Sequence, residues 1–170
     1  MANPLRVHIA DLLRRPGSEK DLDLDVSVLD LGIVDERFVP EETVAVRLHL
    51  ESLTDGLVVR GHVVSTWHGI CRRCAMPAQG TLDSDVHELY QHVITDPDAF
   101  ELEGDVLDLE PMVREVVVLD APVSPLCTAD CAGLCPQCGI DRNTESCGCA
   151  APPSDDRWSA LEQLKDIIDP

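Results

Sequence analysis

The residues whose type and spacing could do chemistry in this chain are eight cysteines, and they fall into four close pairs: Cys71-x2-Cys74, Cys127-x3-Cys131, Cys135-x2-Cys138 and Cys147-x-Cys149. Zinc takes four tetrahedral thiolate or imidazole ligands. A short spacer lets both sulfurs of a pair reach one ion at about 2.3 Å while backbone amides donate to them. Four pairs divide into two such sites. We group Cys135, Cys138, Cys147 and Cys149, because they lie within 15 residues and closing so short a loop costs little chain entropy. Cys71, Cys74, Cys127 and Cys131 then form the other site, with His68 as a candidate substitute ligand. The strongest single element is CPQCG at 135–139, where Gly139 can take a positive φ just past the second ligand and free an amide to point at its sulfur. Spacing alone leaves open how the pairs combine and whether the chain holds one zinc ion or two.

Other chemistry finds less support. Cys71-Arg72-Arg73-Cys74 could be a redox dithiol, since two arginines favour thiolate, but such motifs open a helix after a strand and this tetrad sits between two strand-like runs. His68 otherwise reads as a strand histidine facing solvent. No P-loop, dinucleotide glycine fingerprint, GxSxG elbow or HExxH occurs, so we expect no enzyme. No segment approaches the roughly 18 apolar residues of a membrane span, and MANPLRVHIADLL lacks a signal-peptide core. We therefore expect a cytoplasmic protein with reduced cysteines, which points close Cys pairs toward metal before disulfides.

Charge narrows the partner classes. Across 170 residues, 32 Asp and Glu against 13 Lys and Arg leave a net charge of −19. Residues 21–56 carry ten acids and two bases, and residues 93–125 carry nine acids and one base. Residues 1–20 are locally basic, through Arg6, Arg14, Arg15 and Lys20. A broad phosphate-binding face, and DNA as a partner, are excluded on this balance, while a basic protein or a metal would be attracted. Five aromatics leave little for base stacking. Arg72 and Arg73 form the one internal concentration of positive charge, a candidate contact for RNA or another partner.

These groups need elements to hold them. Residues 43–50, TVAVRLHL, alternate as a half-buried strand. The turn SLTDG leads into a second β-rich run, Leu57 to Ile70, broken at the flexible Gly61. After a breaker at Pro77 and Gly80, residues 81–90 form a third strand. Residues 95–105 read as an exposed acidic connection. Asp108 then caps a helix with Pro111 in its first turn and Met112, Val113, Val116, Val117 and Leu119 on its apolar face, ended by Pro122. From Pro125 the apolar periodicity disappears and metal must organise the chain, for which a structural zinc site can contribute on the order of 10 to 16 kcal/mol. The expected class is α+β: an antiparallel β meander with a few helices and a Cys-rich zinc-binding C-terminal segment. We divide it into a core domain over residues 1–124, a zinc-binding segment over 125–150 packed on the core, and a linker with a closing helix over 151–170, where Trp158, Leu161, Leu164 and Ile168 share one face.

The ordered set GHVVSTWHGICRRCAMP, VLDLEPMVREVVVLDAPVSPLC, CAGLCPQCGIDRN with its trailing CGC, and DDRWSALEQL resembles the YceD-like family, the large-subunit ribosomal RNA accumulation proteins of bacteria and plastids. The opening NPLRVHIADLLRRPG is similar to that family's N-terminus. The resemblance implies a non-enzymatic ribosome-biogenesis role in accumulation of large-subunit (23S) ribosomal RNA. It also implies as partner a ribosomal protein or pre-large-subunit particle; one candidate is a zinc-binding large-subunit ribosomal protein whose gene often neighbours the family's. Direct rRNA contact stays open. Two alternatives remain beside this reading: a direct RNA-binding zinc protein, and a thiol-redox protein using Cys71 and Cys74.

Overall fold

The computed structural model describes residues 3–150, which divide into a unit ending at Cys131 and a second beginning at Ala132. The first unit is an α+β arrangement. Its five-stranded sheet has the order β2 (Glu19–Ser27), β3 (Thr43–Ser52), β4 (Gly56–Ile70), β5 (Pro77–Gln91), β6 (Phe100–Glu101). All neighbours are antiparallel except β5 and β6. A separate antiparallel pair joins β1 (Arg6–His8) to β7 (Val106–Asp108). Two helices complete the unit, α1 (Ala10–Leu13) and α2 (Glu110–Asp120).

Period-two patterning decides which sheet face is buried. In β3, Val44, Val46, Leu48 and Leu50 are buried while Ala45, Arg47 and His49 point to the other face. In β2, Leu22 and Val26 face the core, while Asp21, Asp23 and Asp25 face solvent. The outward acids of β2 meet cations of β3: Arg47 reaches Asp23 and Asp25 at 3.0 Å each, and His49 Nδ1 lies 2.8 Å from Asp21. On the inner face α2 buries Met112, Val113 and Val117 among Leu5, Ile9, Leu107 and Leu109. Two arginines fix that helix. Arg114 Nε donates to Leu31 O at 2.6 Å, and Arg37 Nη1 donates to Ala121 O at 2.9 Å while its side chain grips Asp35 and its own carbonyl accepts the His68 amide at 2.7 Å. The end of α2 is thereby tied to β4, and the chain leaves it toward the β4–β5 hairpin tip.

Several expectations change. Gly61 does not break β4; the strand runs through it at φ 147° because a Cβ there would lie 2.0 Å from Arg47 O of the neighbouring strand. Pro77 and Gly80 likewise belong to β5, and Gly80 leaves room for the Trp67 indole, which a Cβ would approach to 2.9 Å. Residues 95–105 are more than an exposed connection. Phe100 stacks on Tyr90 at 5.2 Å, Leu102 is buried, and the Gln91 carboxamide oxygen accepts from the amides of Thr95 and Asp96. Asp108 ends β7 and the cap position of α2 falls on Leu109, although Asp108 Oδ1 accepts the Glu110 amide at 3.1 Å. Leu119, expected on the apolar face, is exposed. The expected closing helix lies outside the described residues. Among the described residues no helix is long and apolar enough to cross a membrane.

Replacing Gly61 by Ala should destabilise the first unit by about 3 kcal/mol or more, combining left-handed backbone strain with a backbone clash. A drop in urea midpoint at unchanged slope measures it. Gly17, with open space around it, is the comparison: Ala there should cost only the strain of its positive φ.

Candidate metal centres

The four sulfurs of Cys71, Cys74, Cys127 and Cys131 lie within 4.8 Å of one another, and so do those of Cys135, Cys138, Cys147 and Cys149. Within the first set Cys71 Sγ is 3.7 Å from Cys131 Sγ and Cys74 Sγ is 3.5 Å from Cys127 Sγ. A tetrahedron with metal–sulfur bonds of about 2.3 Å has edges of about 3.8 Å. The spacing suits a four-coordinate ion and is far too long for a disulfide, and no disulfide links any of the eight cysteines.

Each set is built on the same backbone turn. In the β4–β5 hairpin tip, Cys71 N–H donates to Met76 O at 2.8 Å and Ala75 N–H to Cys71 O at 2.9 Å. In the second unit Cys135 N–H donates to Ile140 O at 2.8 Å and Gly139 N–H to Cys135 O at 2.9 Å. The residue after the second cysteine has positive φ in both, 59° at Ala75 and 75° at Gly139. Gly139 meets this demand without strain, as the sequence suggested. Ala75 escaped notice because the signal there is position within the turn, not residue type. Around the hairpin set, Ala78 is buried and Trp67 and Leu126 pack against the cysteines. Arg72 N–H donates to Pro125 O at 3.0 Å and Arg73 Nη1 to Cys131 O at 2.9 Å, so the tetrad binds the 125–131 segment by backbone as well as by sulfur.

The second unit has no helix or strand among its described residues, only a bridge between Leu134 and Asp141. Asn143 stitches its loop, donating from its amide to Asp141 Oδ1 at 2.9 Å and accepting the Ala132 amide at 2.8 Å. Cys135 is buried there, whereas Cys138 and Cys149 are exposed. In the hairpin set Cys71, Cys74 and Cys131 are all buried.

Thiol acidities fit cation holders. Burial pushes Cys71 up, but amides of Cys127, Cys74 and Arg73 donate to its sulfur and bring it down to about 6. Amides of Cys138 and Gln137 bring Cys135 to about 6 against the same opposition. Within each set a second thiol then holds its proton: Cys74 rises to about 12, where burial and the other three sulfurs outweigh the Met76 amide, and Cys149 rises to about 12 beside Cys138 and Cys147. Such a set carries one ready thiolate, and a dication would supply the charge that lets the rest ionise. Four sulfur donors leave no open coordination position, the pattern of a structural site.

His68 belongs to neither set. It is half-buried on β4, with Nε2 2.9 Å from Glu42 Oε1.

The family described as large ribosomal RNA subunit accumulation protein YceD matches residues 59–165, which include all eight cysteines. The chain belongs to the YceD family. An uncharacterized protein of Mycobacterium tuberculosis is 33% identical over 96% of this chain and 83% of its own length. One from Mycobacterium leprae is 29% identical over 100% of this chain and 80% of its own. A chloroplast protein of Arabidopsis thaliana, named large ribosomal RNA subunit accumulation protein YCED homolog 1, is 27% identical over 60 residues, 35% of this chain and 19% of its own. No solved structure matches the chain significantly. YceD is a family named for rRNA accumulation and not for a reaction.

Elemental analysis of this YceD chain purified under reducing conditions should find two zinc ions per molecule, and Cys71→Ser should leave one. A stoichiometry of zero in fresh protein would remove the metal reading. Because binding displaces thiol protons, affinity should fall as pH falls, and the exposed 135–149 set should lose metal to acid or chelator first. Gly139→Ala should weaken retention there, at a backbone cost of about 1 to 2 kcal/mol.

Proposed function

We propose that this chain is a non-enzymatic factor in the cytoplasm that supports accumulation of large-subunit (23S) ribosomal RNA by binding a basic ribosomal protein or a pre-large-subunit particle, with zinc holding both cysteine sets. The observation that carries this reading is the family match over residues 59–165, joined to a net charge of −19. An acidic protein gains little from counterion release on RNA, because that gain comes from Lys and Arg on phosphates. It gains from a basic ribosomal protein, whose charge it screens until that protein meets RNA.

The geometry around Arg72 and Arg73 favours the same choice over direct RNA binding. Arg73 is engaged with the Cys131 carbonyl, which suits a brace for the cysteine set. A dithiol switch is disfavoured because Cys71 and Cys74 each have a sulfur neighbour from the 127–131 segment, giving a four-sulfur set instead of an isolated pair.

Depleting the protein should lower large-subunit rRNA relative to small-subunit rRNA, read by quantifying both in growing cells; an unchanged ratio removes the proposal. Neutralising Asp96, Asp98, Glu101, Glu103 and Asp105 should slow association with basic ribosomal proteins, and salt should do the same, since exposed charges more than about 10 Å apart are screened at 0.1 M. Changing Arg72 and Arg73 together to Ala should leave RNA association unchanged and weaken zinc retention slightly. A reduced salt slope for RNA in that variant would favour an RNA-contacting tip instead.

A further inference from the structure

Helix α2 has a stripe that the core covers only at one end, at Met112, and leaves open at the other, at Leu119. Met112, Glu115, Val116, Leu119 and Asp120 follow the three- and four-residue spacing that aligns side chains on one face, and with Phe100 and the preceding loop they line a groove of about 500 Å³. Its floor is apolar: Met112 is buried, Phe100 and Val116 are half-buried, and Leu119 stands 70% exposed. Its rim is acidic, formed by Asp85, Glu88, Asp98, Glu115 and Asp120, and no Lys, Arg or His lines it.

The acids of the outer sheet face differ, because Asp21, Asp23 and Asp25 already have Arg47 or His49. In the groove Asp85 is 3.2 Å from His62, while Glu88, Asp98, Glu115 and Asp120 form no ion pair among the described residues. Burial, then the charges of Glu115 and Asp98, hold the Glu88 carboxyl above its ordinary range, only partly offset by His87. Asp120 also sits at the C-terminal end of α2, where the helix dipole disfavours an anion, and the last turn holds no basic residue. Stability alone would place lysine there and cover Leu119.

We propose that this groove is the docking site for a Lys- or Arg-bearing segment of a protein partner that seats one aliphatic side chain on Leu119. The inference rests on the reading of the chain as a binder of a basic protein and names the surface that does it. Incoming cations relieve the repulsion among the four unpaired carboxylates and complement the helix end. The rim charges steer the encounter, and apolar contact with Leu119 and Val116 holds the segment once seated.

The test uses the full chain and a fluorescein-labelled peptide, Lys-Leu-Lys-Lys-Leu-Lys, with its Leu→Ser version as control, read by fluorescence anisotropy. Glu115→Lys with Asp120→Lys should weaken binding at least tenfold. Glu41→Lys with Asp55→Lys, the same charge change at exposed positions outside the groove, should weaken it less than twofold. Leu119→Ser, which leaves charge unchanged, should weaken it about threefold or more with an unaltered circular dichroism spectrum, and should bring the chain's affinity for the Leu peptide down to that for the Ser peptide. Equal loss in the two double variants would mean a diffuse field, and an unaffected Leu119→Ser would mean no apolar seat; either overturns the groove. Competition by polyuridylic acid that vanishes in the Glu115/Asp120 variant would assign the groove to RNA and also overturn it. If purified large-subunit ribosomal proteins still bind the Glu115/Asp120 variant at full strength, the groove falls while the proposed function stands; if the unaltered chain binds neither these proteins nor the peptide, both fall.

Discussion

Four sulfurs held 3.5 to 3.7 Å from their neighbours cannot all be thiolates without a cation among them, and much of this molecule's far end follows from that requirement. Cys71 and Cys74 come from one hairpin tip, and Cys127 and Cys131 from chain more than 50 positions later, beyond α2. Bringing them together requires the long β4–β5 ladder to project the tip and Arg37 to hold the end of α2 against β4. The core beneath is complete without the cysteines. What the sulfur set adds is the direction in which the chain leaves the helix.

The cysteine sets were legible because their determinants are local: two-residue spacers, a short closing loop and a glycine where a positive φ is needed. Ala75 shows the limit. It holds the same left-handed conformation as Gly139, and only the matching turn hydrogen bonds reveal it. The α+β class and the central hairpin were also readable, through the alternation in β3. Strand β2 was not, because three of its outward positions are aspartate and one is glutamate, and the segment looks like an acidic surface until Arg47 and His49 are seen across the ladder. Gly61 and Gly80 read as interruptions for a related reason. Each is required by something distant in sequence, the β3 backbone in one case and the Trp67 ring in the other. Leu119 follows the helical period yet remains uncovered, since periodicity places a side chain on a face but does not supply what packs against it.

The negative charge is therefore not one undifferentiated coat. Part is balanced in cross-strand pairs on the outer sheet face, where Arg47 and His49 act as fixed counter-ions. Part, at Glu88, Asp98, Glu115 and Asp120 around α2 and the loop before β6, has no ion-pair partner among the described residues. A net charge says that cations are attracted; the distribution of internal partners says where attraction is left over.

Strand β2 lies at one edge of the sheet, and among the described residues no strand pairs with its outer side. A nine-residue edge of alternating aliphatic residues would ordinarily invite a second molecule to add itself, strand upon strand. Here a copy approaching edge to edge would set Asp21, Asp23 and Asp25, three carboxylates that share one arginine and one histidine, beside their own duplicates, where the excess negative charge repels. On the opposite side β6 pairs with only Tyr90 and Gln91 of β5. The spacing of those three aspartates therefore sets a charge penalty on one mode of self-association, the addition of a second copy strand upon strand.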